Sequence, residues 1–169
     1  MAVEIRNDQV QKIISFIEEI GITVRRGGVD SSSFLPGIDV LEGALIVDEA
    51  RLLYPGDLLH EAGHIAVTPA SLRPQLSGKV EIPHANPDAI EAAAISWSYA
   101  ACVHLGLDPR VVFHEHGYHG RSSNLLFGFE LGVFPGLHEL VSAGMTVSDT
   151  GAALVRLPPF PAMQKWLRD

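Results

Sequence analysis

Apolar residues recur at intervals of three and four over Val10, Ile13, Ile14, Ile17 and Ile20. That period predicts an amphipathic helix, capped by Asn7 or Asp8 and closed by Gly21. Ile22-Thr23-Val24 is a short β-prone run stopped by Gly27-Gly28, and Asp30 to Ser33 reads as a polar loop. Two more β-prone runs, around Phe34 to Leu41 and Ala44 to Val47, meet at Glu42-Gly43, which predicts a hairpin. Leu58, Leu59, Ala62, Ile65 and Ala66 then form the apolar stripe of a second helix. Pro55 and Gly56 break what precedes it, Asp57 is placed to cap it, and Thr68-Pro69 ends it. Ser71 to Ile82 reads as an exposed connector. Asn86-Pro87-Asp88 opens a third helix that runs to about Leu105 and stops at Gly106. Farther on, Leu125 to Val133 is apolar, Leu137 to Met145 predicts a short amphipathic helix, and Met163 to Leu167 a docking helix. The expected fold class is α+β, several helices packed around a small sheet in a single domain over 1–169.

Composition narrows the partners. A net charge of −8 with no basic run argues against nucleic acid. The most apolar run, Ala89 to Leu107, carries Glu91 and His104 and is rich in Ala and Ser, so it reads as a buried helix rather than a membrane span. A single cysteine, Cys102, leaves no internal disulfide, and Met1 to Arg6 lacks the apolar core of a signal peptide. A cytoplasmic location is the expectation.

The chemistry lies in His60-Glu61-Ala62-Gly63-His64. Residues i and i+4 of a helix share a face, so His60 and His64 can turn two ring nitrogens to one point about 2 Å from each, as zinc requires. Glu61 sits too far round to be a third ligand but within reach of a water beside the metal, where a general base belongs. The third ligand is sought on the next helix. Glu91 lies in its second turn, on a face continued by Ala94, Ile95, Ser98 and Cys102. A carboxylate on such a face is costly to bury unless paired or bound to a metal. Asp88 is the alternative, though it suits the helix start better.

His60-Glu61-Ala62-Gly63-His64, followed by Glu91-Ala92-Ala93-Ala94 on a second helix, resembles the gluzincin pattern, in particular the minimal gluzincins and the ImmA/IrrE-type metallopeptidases. The resemblance covers roughly Ala44 to Ala101. It implies Zn2+ at His60, His64 and Glu91, Glu61 as base, and a peptide or protein substrate. Zinc peptidases of this type commonly place a strand edge before the motif helix; Ala44 to Val47 is a candidate for it, or else an inner strand. Nothing here suggests the DNA-binding context of many ImmA/IrrE members, and the chain after Leu107 matches no pattern of the family.

One further stretch is rich in chemistry: His114-Glu115-His116-Gly117-Tyr118-His119-Gly120-Arg121. Negative charge builds on a carbonyl oxygen during hydrolysis, and Tyr118 and His119, with His116 next, are the candidates to stabilise it. The same histidines bear on a second reading, a non-catalytic, metal-stabilised protein-binding domain. One of His114, His116 or His119 would then close the metal shell as a fourth ligand. A separate metal held by those three is a further possibility.

Overall fold

The computed structural model describes residues 2–30, 33, 35–78 and 86–169, with residues 2–6 described through the backbone alone. Among them are six helices and a three-stranded sheet, a mixed α+β architecture. Helix α1 (Ala2–Glu19) starts ahead of Asn7, so neither Asn7 nor Asp8 caps it. Val10, Ile13, Ile14 and Ile17 are buried as the apolar period requires. The end of α1 folds back through Gly21, and the Ile22 amide donates to the Ile17 carbonyl at 3.1 Å. That closure uses Ile22, which is why strand β1 (Val24–Arg26) begins two residues later than its β-prone run.

The hairpin forms between β2 (Ile38–Leu41) and β3 (Ala44–Val47), antiparallel, with Leu41 opposite Ala44. Glu42 and Gly43 both take positive φ, 52° and 74°, as a two-residue hairpin turn demands. β1 pairs with β3 in parallel, Val24 opposite Leu45, giving the order β1-β3-β2. Ala44–Val47 is therefore the inner strand and offers no edge to a substrate.

Helices α2 (Asp57–Val67) and α3 (Pro87–Leu105) form the main packed pair. The stripe Leu58, Leu59, Ala62, Ile65 and Ala66 is at most 1% exposed, and each large side chain so buried contributes about 1.5–3 kcal/mol. α3 begins as its sequence predicts: the Asn86 side chain accepts from the Asp88 and Ala89 amides, and Gly106 closes the helix in the left-handed region. Its middle is buried nearly all round, with Trp97 fully enclosed between Phe16 and Trp166 at ring distances of 6.1 and 5.5 Å.

α4 (Ser122–Glu130), α5 (Leu137–Ser142) and α6 (Asp149–Val155) complete the helices. The docking helix expected at Met163–Leu167 is absent. Met163 instead bridges Thr146, and the Gln164 amide donates to Met145, so the segment is held as an irregular strip. The Trp97 indole N–H donates to the Trp166 carbonyl at 3.0 Å, which brings residues 166–168 against the end of α2. There the Arg168 amide donates to Ala66 at 2.9 Å. Arg73 donates to Ile65 and Thr68 at 3.2 and 3.1 Å and also to the Arg168 carbonyl. The free carbonyls at the end of α2 are thus closed by a side chain and a distant segment. Arg73→Met should lower stability by about 2 kcal/mol, since hydrogen bonds from a charged donor are each worth more than neutral ones. A urea midpoint equal to wild type would mean that water serves those carbonyls as well.

Candidate metal centre

His60 and His64 stand one turn apart on the face of α2 turned to α3, and Glu91 reaches them from the second turn of α3. His60 Nε2 lies 3.1 Å from His64 Nε2. Glu91 Oε1 is 3.5 Å from His60 Nε2, and Oε2 is 3.0 Å from His64 Nε2. A tetrahedral zinc with bonds near 2.0–2.1 Å separates its ligand atoms by about 3.3 Å, so the three donors already match the edges of such a site. Among the described residues this is the one group of three His, Cys, Asp or Glu side chains that could hold a metal.

Gly63 is what lets the helices approach. A Cβ built on it would come 3.1 Å from the Ala94 carbonyl oxygen and 3.3 Å from the Trp97 ring. Gly63→Val should therefore cost about 2 kcal/mol through overpacking and draw His64 away from Glu91. A lower thermal midpoint together with weaker zinc uptake is the expected result; unchanged values would mean the two helices have slack.

Charge is unevenly distributed over the site. Burial opposes ionisation of Glu91, but hydrogen bonds from His60 and His64 and their charge prevail, holding the carboxyl well below its usual range. Burial likewise opposes a charge on His60, yet Glu91, Glu61 and Asp57 together raise it. Glu61 differs. Its pKa is pushed up, chiefly by burial, and among the described residues no hydrogen bond holds its carboxylate. Glu61 lines a cleft of about 900 Å3 together with His60 and Glu91.

Tyr118 and His119 both line this cleft. The Tyr118 hydroxyl lies 3.0 Å from His60 Nδ1, the nitrogen turned away from Glu91. Burial, then the Glu91 and Asp57 carboxylates, push the phenol far above its usual range, so it stays protonated. The His119 side chain is exposed at the rim. His116 is also exposed, beside Glu115 at 3.3 Å. His114 turns elsewhere: its Nε2 lies 3.0 Å from Asp57 Oδ1, with Tyr54 stacked on the ring at 3.8 Å. None of the three joins His60 and His64, and no metal group forms among them. Asp88 is exposed at the cleft wall, outside the donor group.

The Asp57–His114 pair escaped the sequence reading because Asp57 looks like a helix cap. Gly56 holds the cap position instead, with Val111 so close that a Cβ there would meet its carbonyl oxygen at 2.0 Å. The available signal was that Asp57 precedes His60 by three residues, hence shares its side of the helix.

Comparison with protein-family models, with curated proteins and with solved structures returns no match. No described helix is long and apolar enough to cross a membrane. The reading of the centre rests on its own geometry.

Proposed function

We propose that this chain is a zinc-dependent hydrolase of the gluzincin type, most suited to peptide bonds, with His60, His64 and Glu91 as the metal ligands. The observation that carries the reading is Glu61. A largely buried carboxylate with a raised pKa and, among the described residues, no hydrogen-bond partner, lining a cleft beside three convergent donors, is suited to accepting a proton. Zinc held there would supply a Lewis acid that acidifies a water and polarises a carbonyl. Glu61 takes the water's proton and passes it to the leaving amine. Glu91, kept ionised by its histidines, leaves that role to Glu61 alone.

The cleft supports a peptide or protein substrate. Leu35 and Pro36 on one side and Ile95, Leu125 and Pro135 on others give it apolar walls between polar groups, as an extended chain with apolar side chains would need. Three protein donors with no fourth histidine among the described residues leave a coordination position for substrate or water, which favours catalysis over a closed structural site. The test is cleavage of a mixed peptide pool by zinc-loaded protein, with and without chelator, beside Glu61→Gln. Cleavage by wild type alone supports the reading. Equal cleavage by the variant, or none by zinc-loaded wild type, rejects it.

A further inference from the structure

Tyr118 sits on the strained crest of the loop that joins α3 to α4. Its φ of 52° and the 54° of His119 put two consecutive non-glycine residues in the left-handed region. Such conformations cost about 1–3 kcal/mol each and persist only where the surroundings enforce them. Here they are enforced. The Ser122 hydroxyl donates to the His114 carbonyl at 2.6 Å, the Gly120 amide to Gly117 at 3.0 Å, and the Arg121 amide to Tyr118 at 3.1 Å. At the start of the loop, His114 is fixed by Asp57 and Tyr54, although this leaves its buried Nδ1 without a partner. Strain and an orphaned polar atom are both accepted to deliver one group, the Tyr118 hydroxyl, to the back of His60. Its ring meets the His60 ring edge-on at 5.2 Å and packs on Phe113, also at 5.2 Å.

We propose that Tyr118 is the positioning residue of His60: its oxygen accepts the Nδ1 proton and so fixes the ring with Nε2 presented to a metal. This rests on the metal-centre reading above. A neutral imidazole that gives the Nε2 lone pair to a metal carries its one proton on Nδ1, and that proton needs an acceptor. The Tyr118 oxygen is 3.0 Å away. With that bond made, the hydroxyl keeps its own proton, because burial and the neighbouring carboxylates hold the phenol in its neutral form. The bond ties a ligand on α2 to the loop that follows α3, the helix that carries Glu91.

The test is Tyr118→Phe, which keeps the ring and removes the oxygen, with Glu115→Ala as a control in the same loop. Two readings are taken: the zinc dissociation constant by competition with a chromophoric chelator, and the His60 Nδ1–H resonance in 15N spectra of zinc-loaded protein. Tyr118→Phe should weaken zinc binding about 10–100-fold, the usual effect of losing such a partner, and speed exchange of that proton with water. Glu115→Ala should change neither reading. Zinc bound as tightly by Tyr118→Phe, with the Nδ1 proton equally protected, would overturn the role while leaving the metal centre intact. A wild-type chain that takes up no zinc would overturn both.

Discussion

Glu61→Gln is expected to reduce hydrolysis by about 10^2–10^4-fold while zinc content stays at the wild-type level. The amide keeps the shape of the carboxylate but cannot accept a proton, and Glu61 is not among the converging donors. Stability should move the other way. Burial raises the Glu61 pKa, so the folded state holds this proton more tightly than the unfolded chain does. A group shifted upward contributes stability below its unfolded value, here 4.5, and loses that contribution as pH rises through its folded value. Above its folded value the metal-free wild type carries an ionised carboxylate in a buried place, and the glutamine relieves it. The variant should be more stable by about 1 kcal/mol at pH 7, within the range of stabilising single substitutions at active sites. The difference should vanish below pH 4.5. Thermal unfolding of both metal-free proteins across that range checks this. A variant less stable at pH 7 would show that the carboxylate is held by something other than its surroundings as described.

Glu91→Ala should remove the zinc response altogether. In wild type, free zinc at 100 times its dissociation constant should stabilise the fold by about 2.7 kcal/mol, a shift of roughly 5–10 °C for a chain of this size. The variant loses one of three donors, and its unfolding temperature should not respond to zinc at that concentration. Metal-free protein gives a second reading. Glu91 is shifted down, so its contribution is present above 4.5 and is lost as pH falls through its folded value. His60 is shifted up, so its contribution is present below 6.5 and is lost as pH rises through its folded value. The cost of Glu91→Ala without metal should therefore be greatest between these two values and smaller above them. A cost that keeps growing toward alkaline pH would contradict the charged pairing of His60 with Glu91.

How far the sequence led depends on the range of the forces involved. The convergence of His60 and His64 follows from helical spacing, and Glu91 falls in line because Asn86 and Pro87 fix where α3 begins and thus its phase. These are local rules, and they were legible. Asp57 was misread because a local rule, the preference of Asp for helix caps, lost to a partner 57 residues away. Met163, Trp166 and Leu167 have helical spacing, yet each is claimed by a separate tertiary contact, and the backbone follows those instead. α6 went unpredicted for the opposite reason: Ser148 caps it well, but Leu154 is 82% exposed and no apolar stripe announces the helix. For Tyr118 the residue type pointed to the site, while its position behind His60 depends on a loop strain that no periodicity encodes.

The closure of α2 by residues 166–168 bears on how the centre is made during synthesis. A ribosome that has delivered the chain through Leu105 has released all three donors, but neither Tyr118 nor the strip that seals the motif helix. Some 60 further residues stand between the complete ligand set and its closure, roughly 3–12 s of elongation at about 5–20 residues per second. On the zinc reading proposed above, a metal would exchange between the two histidines and the cell's other ligands during that interval. The choice of ion would then be made while the grip is loose, and the last contacts would keep whichever ion is in place.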